Sequence, residues 1–195
     1  MKKKKIVPSH ARDLPGNYTF RMLVEGRDEK ITLVRELSET GDHIALKVLG
    51  YILFHHRDLL IETDIGQARI PDLCEMDGSA PRLWIECGAA GLVKITKIAL
   101  IAGKHMEFYI LKPNRSQAER FADGADAKIK HAQRLRILFF DDGFVDAFAR
   151  TFDRHNVVSA KRYPGRVVVD AGGETLESSV TLITAEGEQS ERGER

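Results

Sequence analysis

Residues 38–56, SETGDHIALKVLGYILFHH, constrain the fold more than any other stretch of the chain. Cap-type residues open the segment. The residues after them read as a helix apolar on most of its faces, with Ile44, Leu49, Ile52 and Leu53 among its buried candidates. Such a helix has little surface to give to water, so it must be central and other elements must cover it. The chain can supply that cover: 195 residues with 43% hydrophobic composition suffice for one domain with a substantial core.

The covering elements can be read in order. YTFRMLVEGRDEKITLVRE predicts two strands around a polar turn at Gly26 to Glu29, a hairpin signal. After the apolar helix come the short strand candidates DLLIET, ARIPDLCE and RLWIEC, punctuated by Gly, Asp and Pro, which predict a meander. GAAGLVKITKIALIAG reads as a helix, HMEFYIL as a strand, and NRSQAERFADGAD as a polar helix capped near Asn114. RLRILFFD is a further strand and DGFVDAFARTF a further helix, and VVSAKRY, GRVVVDA and SSVTLITAE add strands at the end. This order predicts an α/β (α+β) sandwich, a mixed sheet flanked by helices. Residues 1–16 read as a flexible basic segment, 17–186 as the single domain and 187–195 as a charged tail too poor in apolar residues to fold.

Thirty Lys and Arg face 29 Asp and Glu, so no global field draws the chain to nucleic acid or to an anionic membrane; a nucleic-acid partner needs a local basic patch. The tetralysine at the start reads as a solvated terminal run. Cys74 and Cys87 are too few for a disulfide scaffold and lack metal or redox spacing, which fits a reducing cytoplasm. No uninterrupted run predicts a membrane span or an export signal, and no motif specifies an oligomeric state.

Three charged residues stand where apolar elements are expected. Pro71 removes a backbone donor, which suits a strand end or bulge where Asp72 can face a cleft; the plainer reading of a Pro-Asp pair is a turn. Glu86 closes LWIEC ahead of GAAG, at a strand terminus facing the start of the next helix, where a carboxylate is favoured by the helix dipole. Lys94, Lys97 and Lys104 fall on one narrow face of that helix, as a site lysine or as a solvated stripe. Two carboxylates on neighbouring strands repel unless a cation joins them, and hard oxygen ligands with a few waters suit magnesium. A lysine beside them can orient water and stabilise charge on a phosphate in transfer.

That chemistry, and the order of helix, three-stranded meander, helix and strand, resemble the PD-(D/E)xK nuclease superfamily. Pro71 and Asp72 match the first half of its motif and Glu86 the acidic position of the second, while Gly88 stands where the lysine is usual; some members carry the lysine on the following helix, where Lys94 and Lys97 lie. SET at 38–40, LWIECG at 83–88 and KITKIA at 94–99 resemble the YaeQ family within that superfamily, over roughly residues 17–184. The resemblance implies Asp72 and Glu86 as metal ligands, Lys97 as catalytic lysine, and Glu39 of the first helix and Lys94 as secondary candidates. It implies Mg²⁺, with Mn²⁺ as substitute, in a phosphodiesterase site acting on nucleic acid. Cys87 and an early helix end at Gly103 depart from the family pattern.

The rival reading is a non-catalytic member that keeps the cleft to bind nucleic acid or a protein of the transcription machinery. A third is an interaction module whose carboxylates only anchor strands and helix. The remaining candidates read as structural. His55 and His56 diverge at a helix end without a third ligand; Trp84 reads as core; Cys74 and Cys87 read as small apolar residues of paired strands. Asp141 and Asp142 at the end of a strand form a second candidate acidic pair.

Overall fold

A computed structural model describes residues 16–101, 106–129 and 132–184. The tetralysine start, Gly103, Lys104 and the charged tail lie outside the described residues. The elements run β1 (Gly16–Val24), β2 (Arg27–Arg35), α1 (Gly41–Phe54), β3 (Leu60–Ile61), β4 (Leu73–Asp77), β5 (Ala80–Cys87), α2 (Leu92–Ile101), β6 (Glu107–Lys112), α3 (Arg115–Asp126), β7 (Leu135–Phe140), α4 (Phe144–Arg150), β8 (His155–Tyr163), β9 (Arg166–Ala171) and β10 (Glu174–Thr184).

The element order is the one the sequence predicts, with local shifts. The hairpin turn is tighter than read: Val24 pairs with Arg27, and Glu25 and Gly26 both take positive φ, the two-residue geometry that matches the twist of antiparallel strands. β3 shrinks to two residues, and β4 begins only after Pro71 and Asp72. Thr40 caps α1 by accepting from the His43 N–H, and Asn114 caps α3 by accepting from the Gln117 N–H.

Among the described residues all ten strands form one mixed sheet, ordered β2-β1-β8-β9-β10-β7-β6-β5-β4-β3. It is not the flat middle layer of a sandwich. Right-handed twist accumulated over so many strands curls the sheet until its ends approach, where the Val34 N–H of β2 donates to the Glu62 carboxylate just beyond β3 at 3.2 Å. The nearly closed sheet wraps α1, which is why a helix apolar all round can exist in this chain: Ile44, Leu49 and Ile52 lose all but about 1% of their exposure. α4 packs beside α1 within the curl, and Phe144, Phe148 and Phe152 join that core. Gly50 lets α1 approach the sheet, since a Cβ there would stand 3.1 Å from Leu73 and 3.3 Å from Leu111.

A second core lies on the outer face of β5, β6 and β7, under α2 and α3. β5 alternates between the two cores: Leu83, Ile85 and Cys87 point inward to α1, and Trp84 points outward to α2 and α3. Trp84 is thus core, and Cys74 and Cys87 are buried free thiols on paired strands. Asp141 accepts from the Ser179 N–H and pins β10 to the end of β7, a structural use of that acidic pair. Among the described residues no helix is long and apolar enough to cross a membrane.

Candidate functional site

The charged residues converge where β5 ends and α2 begins. Leu73 pairs with Ile85 in the antiparallel β4–β5 ladder, so one further step along the same register sets Asp72 beside Glu86. Gly88 takes φ +66, and this left-handed turn ends β5 and redirects the chain toward α2. Glu86, on the same face of β5 as Trp84, has no exposed surface, and Asp72 is 8% exposed.

Glu86 Oε1 accepts from the Trp84 indole N–H at 2.8 Å. Its Oε2 is buried without an aligned hydrogen bond, its contact being the ion pair to Lys94 Nζ at 2.5 Å. Burial, and then the charge of Asp72, push the Glu86 carboxyl above its ordinary range against the pull of Lys94. Asp72 Oδ2 accepts from the Cys87 N–H at 2.6 Å, and its Oδ1 faces His43 Nε2 at 3.4 Å and Lys47 Nζ at 3.9 Å. Burial works to raise this carboxyl, but His43, Lys47 and the Cys87 N–H outweigh it and hold Asp72 below its ordinary value.

The structure therefore brings Asp72, Glu86 and Lys94 together. Lys97, the lysine implied by the family pattern, is exposed one turn further on and forms no ion pair with either carboxylate among the described residues. Glu39 does reach the site, although it lies in the loop ahead of the α1 cap rather than on the helix.

Sequence reasoning missed Lys47, His43 and Glu62. Lys47 is 1% exposed inside the curl, where its Nζ donates to Glu39 Oε1 at 2.6 Å and to Glu62 Oε1. Burial opposes its charge, yet Asp72, Glu39 and Glu62 outweigh burial and hold the ammonium above its ordinary pKa. The signal was present: Glu39, His43 and Lys47 recur every four residues, and Lys47 is the one charge in the apolar run IALKVLGYIL. Glu62 carried no such signal, since its place depends on the curl that returns β3 to β2.

The site can hold charge and little else. Four carboxylates, Glu39, Glu62, Asp72 and Glu86, meet two ammonium groups, Lys47 and Lys94. Among the described residues no three acidic, histidine or cysteine side chains stand together as a metal cage. A hard cation that takes two carboxylates and keeps waters, as magnesium does, suits such a donor set. The buried Glu86 Oε2 has the Lys94 ammonium as its partner, so a cation held there would take the place of that contact.

At Gly88, just beyond the site, stands a further buried cation. Lys112 Nζ donates to Gly88 O at 2.6 Å and lies 4.4 Å from the centre of the Phe121 ring. Burial pushes this lysine down to about 8. Its unfolded pKa near 10.5 is higher, so between the two values the unfolded chain holds more protons and stability rises with pH. Denaturation of wild type and Lys112→Met across alkaline pH is expected to show the wild type gaining roughly 2 kcal/mol relative to the variant between about pH 7.5 and 9.5. A constant difference would place the ammonium in water.

The architecture has counterparts among known proteins. The family model described as YaeQ protein matches residues 26–180, most of the chain. The crystal structure of YaeQ protein from Xanthomonas axonopodis pv. citri superposes with a TM-score of 0.68 at 17% identity, covering 86% of this chain and 96% of that one. YaeQ protein from Pseudomonas syringae gives a TM-score of 0.67 at 16% identity, covering 87% and 95%. No curated protein matches. At these identities the superpositions speak for the fold, a mixed α+β domain with a large, nearly closed sheet, while the family match extends from the β1–β2 turn into β10, and the chain belongs to the YaeQ family.

Proposed function

We propose that this protein is a metal-dependent phosphodiesterase of PD-(D/E)xK type acting on nucleic acid, with Asp72, Glu86 and Lys94 as its site. The observation that carries the reading is the juxtaposition of two buried carboxylates, Asp72 just ahead of β4 and Glu86 near the end of β5, with a lysine of the next helix on Glu86. Asp72 and Glu86 would hold magnesium or manganese, which supplies a polarised phosphoryl oxygen and an activated water when bound. Lys94 reaches Glu86 from the first turn of α2 with its side chain 34% exposed, so this ammonium touches both the buried carboxylate and the solvent from which substrate comes. His43 and Lys47 hold Asp72 ionised and fixed from the inner side. Trp84 fixes the Glu86 rotamer.

A panel of labelled DNA and RNA oligonucleotides, single- and double-stranded, with magnesium or manganese tests the reading. Cleavage by the wild type is expected to fall at least a hundredfold in Glu86→Gln, which keeps the shape but withdraws the charge from the cation. Calorimetric titration of either metal is expected to show binding by wild type and none by Asp72→Ala. Equal metal binding by both, or cleavage undiminished in Glu86→Gln, would overturn the assignment.

One observation favours a second reading. Glu86 has no exposed surface and its charge already faces Lys94, an arrangement that also serves a non-catalytic module in which the pair anchors α2 to β5. Retention of oligonucleotides without cleavage, unchanged in Glu86→Gln, identifies that module.

A further inference from the structure

At the β5–α2 connection lies an open pocket of about 360 Å³, lined by Ala90, Gly91, Leu92, Lys112, Gln117, Arg120 and Phe121. Its composition is unlike that of the acidic site. Lys112 is 5% exposed, and its Nζ has one hydrogen-bond acceptor, Gly88 O, together with the Phe121 ring. Arg120 is exposed and donates to Ser116 Oγ at 3.2 Å. No carboxylate among the described residues forms an ion pair with either cation, whereas Lys47 and Lys94 both have acidic partners. A buried ammonium costs free energy unless a counter-charge meets it. This one borders a pocket large enough for a tetrahedral oxyanion and shares that pocket with a guanidinium whose fork suits phosphate oxygens.

We propose that this pocket takes the terminal phosphate of a nucleic-acid strand, with Lys112 and Arg120 as its two cations. Two positive charges match a terminal phosphate, which carries close to two negative charges at neutral pH, better than an internal phosphodiester, which carries one. The position fits as well: Gly88, to which Lys112 donates, lies two residues beyond Glu86, and Leu92 of the pocket wall opens the helix that carries Lys94. A strand end seated here meets the connection that joins the element carrying Glu86 to the helix carrying Lys94. The proposal rests on the phosphodiesterase reading for its choice of ligand, while the pocket itself needs neither metal nor Glu86.

Calorimetry without metal, at about 0.15 M salt, compares a hexanucleotide with and without terminal phosphate, and inorganic phosphate alone. The phosphorylated strand is expected to bind at least tenfold more tightly than the plain one, and Arg120→Gln and Lys112→Met each to erase most of that difference. Arg120 is exposed, so its variant keeps the test decisive if Lys112→Met fails to fold. Equal affinity of the two strands for wild type, or an undiminished preference in Arg120→Gln, overturns the proposal. Inorganic phosphate binding through the same residues with no preference between strands identifies a free-phosphate site and also overturns it. Glu86→Gln separates this pocket from the acidic site: phosphate preference kept with cleavage lost supports both, preference without cleavage by any form supports the pocket alone, and cleavage without preference rejects the pocket alone.

Discussion

Replacing Lys47 by Met is expected to destabilise the fold by about 3 kcal/mol or more, the largest loss anticipated for any single side chain at the site. The ammonium is almost wholly buried and neutralises Glu39, Glu62 and Asp72 together. Removing it leaves three carboxylates facing one another with little water, and each must then protonate, hydrate or move apart. Two of the three also hold backbone in place. Glu62 accepts from the Val34 N–H where the two ends of the sheet meet, and Asp72 accepts from the Cys87 N–H at the end of β5. The loss therefore reaches the closure of the sheet as well as the charge balance. Chemical denaturation at neutral pH measures it. Combining Lys47→Met with Glu39→Gln and Glu62→Gln is expected to recover part of the loss, because apolar or neutral replacement of a whole buried ionic group costs far less than removal of one partner. A Lys47→Met protein as stable as wild type would mean that the three carboxylates are hydrated in solution.

The second large effect concerns which lysine serves Glu86. Under the proposed phosphodiesterase reading, Lys94→Ala is expected to lower cleavage about a hundredfold while Lys97→Ala leaves it within about twofold of wild type, since loss of one preorganised positive group at developing charge costs about that much. Lys94 stands 2.5 Å from Glu86 Oε2 in the first turn of α2, whereas Lys97 is exposed. The family resemblance implies the reverse order, so parallel single-turnover assays of the two variants decide between them. Lys94→Arg serves as the control for charge without shape. An outcome in which neither variant changes cleavage would make both lysines a solvated stripe and remove the ammonium from the proposed chemistry.

The order of elements is set by local patterning, and so is the identity of the central helix. Residues 44–54 are apolar at nearly every position, and period-2 and period-3.6 patterns separate the strands from the helices around them. Asn114 as a cap, Trp84 as core and the thiols as buried apolar groups are each set by one residue and its neighbours. Asp72 and Glu86 could also be singled out, because a charge inside an apolar run is conspicuous wherever the chain goes. The curl of the sheet could not be read this way, since it accumulates from the twist of ten strands, none of which encodes closure. Closure sets Glu62, just past β3, against Val34 of β2 and completes the cage around Lys47 from residues separated by up to 33 positions, Glu39 to Asp72. Lys94 and Lys97 share a helix and a charge, so sequence pattern treats them as near equals; only the seating of α2 against β5 decides that the first turn, carrying Lys94, meets Glu86. Lys112 is the clearest case of the difference: one lysine at the end of a strand has no meaning by itself, and it becomes a buried cation without a carboxylate partner among the described residues only because Phe121 of α3 and the turn at Gly88 fold over it.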